Sequence, residues 1–139
     1  MKRALLIFLI VFIVMQFIQT EKTNEQIDKN LEIKAPEHIM TVFKRSCYDC
    51  HSDEVKWPWY SNIAPFSWLI NSHVKNGRAW LNFSIWETYT AKEKKKKLKE
   101  IFRTVYASMP LQSYVRFHED ADLTRKQRTM IRQWTGVKK

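Results

Sequence analysis

Glycine is nearly missing from this chain: of 139 residues only Gly77 and Gly136. Hairpins and tight turns use glycine for backbone angles that other residues avoid, so this scarcity disfavours a β-architecture built on such turns. Cysteine is equally scarce, and Cys47 and Cys50 must carry whatever thiol chemistry the chain has. No internal repeat is present, and only "KEKKKKLKE" is compositionally biased. Acids are outnumbered, 14 Asp and Glu against 24 Lys and Arg, for a net charge of +10. What is plentiful is apolar: 45% hydrophobic and 14% aromatic residues, six of them Trp, exclude wholesale disorder and supply a core for one domain.

There is one long hydrophobic run. After the basic "MKR", the stretch "ALLIFLIVFIVMQFI" from Ala4 to Ile18 is apolar except for Gln16. As a helix it spans somewhat less than a bilayer core, which suits a signal-peptide core or a short anchor. A buried core helix is the weaker reading, because no face of the run is polar. No small-x-small cleavage site follows in "FIQTEKT", so residues 1–20 are expected to form an uncleaved membrane anchor. Lys2 and Arg3 would stay inside, sending the rest of the chain outward, or free and exported if the segment is cleaved. Residues 21–36 read as a polar linker and 37–139 as the folded domain. The positive charge lies almost wholly beyond the linker. In a cytosolic protein it would suggest nucleic acid; behind an export segment it points to acidic protein partners or an anionic membrane face, and not to nucleic acid.

Helical periodicity runs through the domain. A first helix opens at Pro36-Glu37 and carries Ile39, Val42 and Phe43 toward Cys47. A second starts near Pro65, with Phe66, Leu69, Ile70 and His73 on one face and Gly77 placed to stop it. A third has two candidate capping boxes, Ser84-x-x-Glu87 and Thr90-x-x-Glu93, and a stripe of Leu98, Ile101, Phe102 and Val105. A fourth follows Thr124 and carries Met130, Ile131 and Trp134 before Gly136. The fold class is therefore all-α, about four helices with an aromatic-rich loop, "SDEVKWPWYSNIA".

The sequence "KRSCYDCHSDE" holds both cysteines three apart, with His51 next to the second. A redox dithiol wants its first cysteine at a helix start after a strand, yet here a helix runs into Cys47 and no strand pattern frames it. Structural zinc needs four ligands; Cys47, Cys50, His51 and His73 would supply them, but adjacent Cys50 and His51 strain a tetrahedral shell. Covalent haem attachment uses all three motif residues. Cys47 and Cys50 on one side of a helical turn form thioethers with the two vinyl groups, and His51 turns its imidazole to the iron as proximal ligand. The cofactor expected is one covalent haem c.

A distal ligand is then sought downstream. In "YASMPLQSY", Pro110 disfavours helical geometry at Met109 and ends the third helix there, freeing a thioether to reach inward. Met109 is the preferred distal ligand, its alternative role being a gap-filling core residue. His73, on the apolar face of the second helix, is the rival. His118 sits among polar residues in a loop and His38 at an exposed helix start. Trp57, Trp59 and Tyr60 are expected to wall the haem pocket, although ordinary core packing would use the same residues. The run Lys92 to Lys99 reads first as a solvated helix face and secondarily as a surface that steers a partner.

The stretch from "CYDCHSDEVKWPWYSNIAPFSWLINSHVKNGRAWLNFSIW" through "MPLQSYVRFHEDADLT" to "IRQW" resembles the bacterial haem-binding domain family of short, membrane-anchored, single-haem cytochrome c-like proteins. The resemblance covers about residues 36–135. It implies a cytochrome c-like helical fold with first and last helices packed together, Cys47 and Cys50 as attachment cysteines, His51 as proximal ligand and Met109 as distal ligand. The chain is accordingly expected to be an electron carrier at the bacterial inner membrane, facing the periplasm and serving redox partner proteins, rather than an enzyme. Two alternatives stand beside it: a five-coordinate haem that senses small gases or acts as a weak peroxidase, and a haem-bearing module of a larger complex.

Overall fold

The computed structural model describes residues 1–138, so the last residue of the expected 37–139 domain lies outside the described residues. Among them there are seven α-helices and no strand: α1 (Lys2–Gln16), α2 (Glu37–Ser46), α3 (Tyr48–His51), α4 (Phe66–Trp80), α5 (Ala91–Ala107), α6 (Gln112–Val115) and α7 (Arg125–Trp134). Four of these, α2, α4, α5 and α7, are the helices expected from periodicity. Their starts follow local chemistry. Pro36 and Pro65 precede α2 and α4, while Thr90 with Glu93 and Thr124 with Gln127 close reciprocal capping boxes on α5 and α7. The other candidate box, Ser84-x-x-Glu87, does not form. Residues Phe83–Thr88 make a 3₁₀ segment in which the Ser84 hydroxyl accepts from the Asp53 amide at 2.9 Å, a long-range bond invisible to local pattern.

The core lies where α2, α3, α5 and α7 meet the 3₁₀ segment. Ile39, Val42 and Phe43 of α2 are buried with Phe83, Ile101, Val105 and Ile131. Phe43 stacks on Phe83 at 5.0 Å between ring centroids and meets Trp134 edge-on at 5.2 Å, which joins the domain's first helix to its last. Burying a phenylalanine of this kind contributes about 1.5–3 kcal/mol.

Residues 19–36 contain no helix, but they are not a free tether. Asn24 pairs with the Val55 backbone in both directions, at 2.9 and 3.1 Å, and the Ile33 amide donates to the Phe83 carbonyl at 2.9 Å. Ile33 itself is a core residue, so the domain's packing begins before residue 37. The Trp68 indole donates to the Ile18 carbonyl at 2.8 Å, and Gln16 exchanges bonds with the Ala64 backbone at 3.0 and 3.3 Å, tying the end of α1 to the start of α4. No helix among the described residues is long and apolar enough to cross a membrane. The fifteen residues of α1 bury none of their side chains.

Gly77 does not stop its helix. α4 continues three residues further, to Trp80, and Gly77 lies inside it where α3 crosses. A Cβ at this position would stand 2.3 Å from the Cys50 carbonyl oxygen, so the missing side chain is what lets the two backbones approach.

Candidate functional site

α2 ends at Ser46 and the backbone turns at Cys47 (φ −130°, ψ −34°) before one helical turn, α3, carries the motif. The Cys50 and His51 amides both donate to the Cys47 carbonyl, at 3.1 and 2.9 Å, which closes the turn and sets Cys47, Cys50 and His51 against one cavity. Neither cysteine is in a disulfide. Burial pushes the Cys47 thiol up to about 12, helped by the neighbouring Cys50, and burial with the Asp49 charge pushes the Cys50 thiol up to about 11. A redox dithiol needs the opposite, a readily formed thiolate.

The His51 ring is held from behind. Its Nδ1 lies 3.0 Å from the Gly77 carbonyl oxygen and 2.9 Å from that of Leu81, both on or just beyond the end of α4. Both neighbours only accept, so Nδ1 carries the hydrogen and Nε2 keeps a lone pair, the tautomer a metal ligand requires. Burial lowers the His51 pKa, outweighing these two carbonyls, and so keeps the ring neutral. Behind the motif, the buried Asp53 carboxylate accepts from the Asn82 amide at 3.0 Å and faces Arg78 Nε at 3.3 Å, locking the loop after His51 to α4. Asp49, between the two cysteines, accepts from the Tyr114 hydroxyl at 2.6 Å and the Lys56 amide at 3.1 Å.

The cavity above this turn has a volume of about 680 Å³, within the range of small-molecule and cofactor sites. α4 contributes Phe66, Leu69 and His73 to its wall, the end of α5 contributes Thr104 and Val105, and Met109 follows just beyond it. Among the described residues beyond Ile18, the large apolar side chains left exposed are Trp59, Phe66, Leu69, Trp80, Tyr106 and Phe117. Four of them, Phe66, Leu69, Trp80 and Phe117, line the cavity. Side chains so placed fit a large, flat, apolar group, and the donor set beneath them is two thiols and one imidazole lone pair.

The expected residues divide as follows. Cys47, Cys50, His51, Met109, His73 and Tyr60 all reach the cavity, whereas Trp57 and Trp59 are not among its lining residues. Trp57 instead receives Lys22 over its ring at 5.7 Å, and Trp59 is exposed. His118 stacks on Tyr114 at 4.2 Å, and His38 is exposed on α2. Among the described residues no three of His, Cys, Asp and Glu converge as a metal shell, so His73 does not complete a zinc site with the motif. Sequence reasoning missed Asp49, Tyr114 and the two carbonyls behind His51. A glycine inside a helical pattern was the available signal for Gly77; a backbone carbonyl at Leu81 has none.

The family model described as a haem-binding domain matches residues 10–136. The chain belongs to that haem-binding family. No curated protein and no solved structure matches it. The family's extent is broader than the 36–135 resemblance, and it takes in the strap of residues 19–36 that packs on the domain. As a haem-binding domain, the chain places its motif, its lone-pair nitrogen and its apolar cavity in one location.

Proposed function

We propose that this protein is a membrane-tethered, periplasm-facing monohaem c-type cytochrome with a cytochrome c-like fold, carrying single electrons between redox partners. The observation that supports this most is the meeting of Cys47, Cys50 and His51 on the wall of one apolar cavity. Each cysteine S–H would add across a vinyl group, sulfur to one carbon and hydrogen to the other, without oxidant or reductant. His51 would bind the iron through Nε2 while the Gly77 and Leu81 carbonyls fix the ring and raise its basicity. The haem supplies reversible one-electron chemistry when bound.

Met109 is the preferred distal ligand. His73 lies one turn before Gly77 on the helix whose carbonyls back His51, whereas Met109 reaches the cavity from the end of α5, a separate wall. A histidine and methionine pair raises the reduction potential, and apolar walls that disfavour the extra positive charge of the oxidised centre act in the same direction. α1, apolar from Ala4 to Met15 and packed only at its end, is the proposed membrane tether, and the basic face of α5 the surface that meets acidic partners.

Optical spectra of the matured wild type, Met109→Ala and His73→Ala test the reading. Met109→Ala is expected to lose the low-spin spectrum and bind carbon monoxide readily when reduced, while His73→Ala stays low-spin. The reverse pattern assigns the iron to His73. Ready carbon monoxide binding by the wild type would favour the sensor or peroxidase alternative.

A further inference from the structure

The end of α5 is irregular at the residue that matters. In a continuing helix the Met109 amide would donate to the Val105 carbonyl. Instead the Ser108 and Met109 amides both donate to the Thr104 carbonyl, at 2.9 and 2.8 Å, and Pro110 has no amide hydrogen to give. The Val105 carbonyl is therefore released from the helical ladder, in a half-buried place where an unpartnered acceptor is costly.

Arg128, in the first turns of α7, takes it. Its Nη1 donates to the carbonyls of Val105 and Met109, the latter at 2.7 Å. Its Nε donates to the Leu123 carbonyl at 3.0 Å, and its Nη2 faces the Asp122 carboxylate at 3.3 Å. The side chain is only 17% exposed, and its positive charge lies at the negative end of α5. One planar fork thus holds the backbone on both sides of the point where α5 stops, a task the single ammonium of lysine performs incompletely.

We infer that Arg128 is a positioning residue for the distal side of the site: it holds the Met109 backbone so that the thioether stays within reach of the iron. This rests on the proposed ligation by Met109. Arg128 touches neither substrate nor iron; it acts through Met109, and it sets how readily an outside ligand displaces the thioether. The distinction between a closed electron carrier and an open gas-binding haem is then controlled from α7, the helix packed against α5.

The test uses the full-length matured holoprotein with Arg128→Lys and Arg128→Gln, beside Met109→Ala and a core control, Ile39→Val, whose side chain is buried but does not line the cavity. Carbon monoxide binding to the reduced protein, reduction potential and melting temperature are measured on each. Loss of a bond to a charged group is expected to speed carbon monoxide binding about tenfold in Arg128→Gln, with Arg128→Lys intermediate and the potential lowered in both. Ile39→Val, with its own loss of melting temperature, is expected to bind as slowly as wild type. If the Arg128 variants bind no faster than Ile39→Val while Met109→Ala binds fast, Arg128 is structural only and the inference is overturned. If Met109→Ala itself keeps wild-type spectra and binding, the ligation reading fails, and the inference with it. Arg128→Lys keeps the charge, so the comparison survives if Arg128→Gln does not fold.

Discussion

Gly77→Ala is the smallest change that tests how the motif is held. Inside a helix, alanine is ordinarily better than glycine by about 1 kcal/mol, so without its surroundings the variant would be stabilised. Here the new methyl carbon would lie 2.3 Å from the Cys50 carbonyl oxygen and 3.0 Å from its carbon, both backbone atoms that no rotamer change can move. α3 and α4 must part by roughly 1 Å, at an overpacking cost of about 1–3 kcal/mol. The same displacement stretches the bonds from His51 Nδ1 to the Gly77 and Leu81 carbonyls, each worth about 0.5–1.5 kcal/mol. The expected net is a destabilisation of about 2 kcal/mol, opposite in sign to helix propensity. Urea unfolding of the holoprotein, with exposed Ser72→Ala on the same helix as control, reads it, and the haem spectrum should shift as the proximal ring loosens. A Gly77→Ala protein more stable than wild type with an unaltered spectrum would show that α3 does not press on Gly77.

Two further outcomes follow from the supporting structure. Arg78→Met leaves the buried Asp53 carboxylate without its cation and removes bonds to the Ser52 and Thr23 carbonyls; the expected loss is about 3–5 kcal/mol in urea unfolding, and a loss under about 1 kcal/mol would show that the pair does not hold the loop after His51. Thr90→Ala removes one side of the α5 capping box, an expected cost of about 1 kcal/mol at neutral pH. The pH dependence has a definite sign. The Thr90 hydroxyl, then the Thr90 amide, hold the Glu93 carboxyl below its usual value, so the contribution is full above the ordinary carboxylate pKa and fades as pH falls through the lowered one. The gap between wild type and Thr90→Ala should therefore narrow in acid, and a gap independent of pH would count against the box.

The parts of the fold legible in the sequence are those set by neighbours in the chain. Pro36, Pro65, Thr90 and Thr124 mark helix starts because their chemistry acts within one turn, and the α2 stripe of Ile39, Val42 and Phe43 faces the core as its spacing requires. The motif was legible for the same reason, since Cys47, Cys50 and His51 share a single turn. What was not legible depends on residues far apart. Residues 19–36 look like a solvated linker by composition, yet Asn24 and Ile33 find partners at Val55 and Phe83. The α4 stripe of Phe66, Leu69 and His73 has the spacing of a core face but lines the cavity. Gly77 resembles a helix stop until α3 is laid across it. Trp57 and Trp59 are as aromatic as Tyr60, and only the path of the loop decides which of them faces the site.

Everything proposed for the site depends on Cys47 and Cys50 holding a haem covalently over His51. The most direct measurement of this is the intact mass of the full-length protein, coexpressed with a haem-attachment system, after denaturation and acid extraction that strips any noncovalent haem. The wild type is expected at the mass of bare polypeptide plus one haem, and the Cys47→Ser, Cys50→Ser double variant at that of bare polypeptide alone. A wild type that emerges colourless at the mass of its polypeptide would contradict covalent attachment.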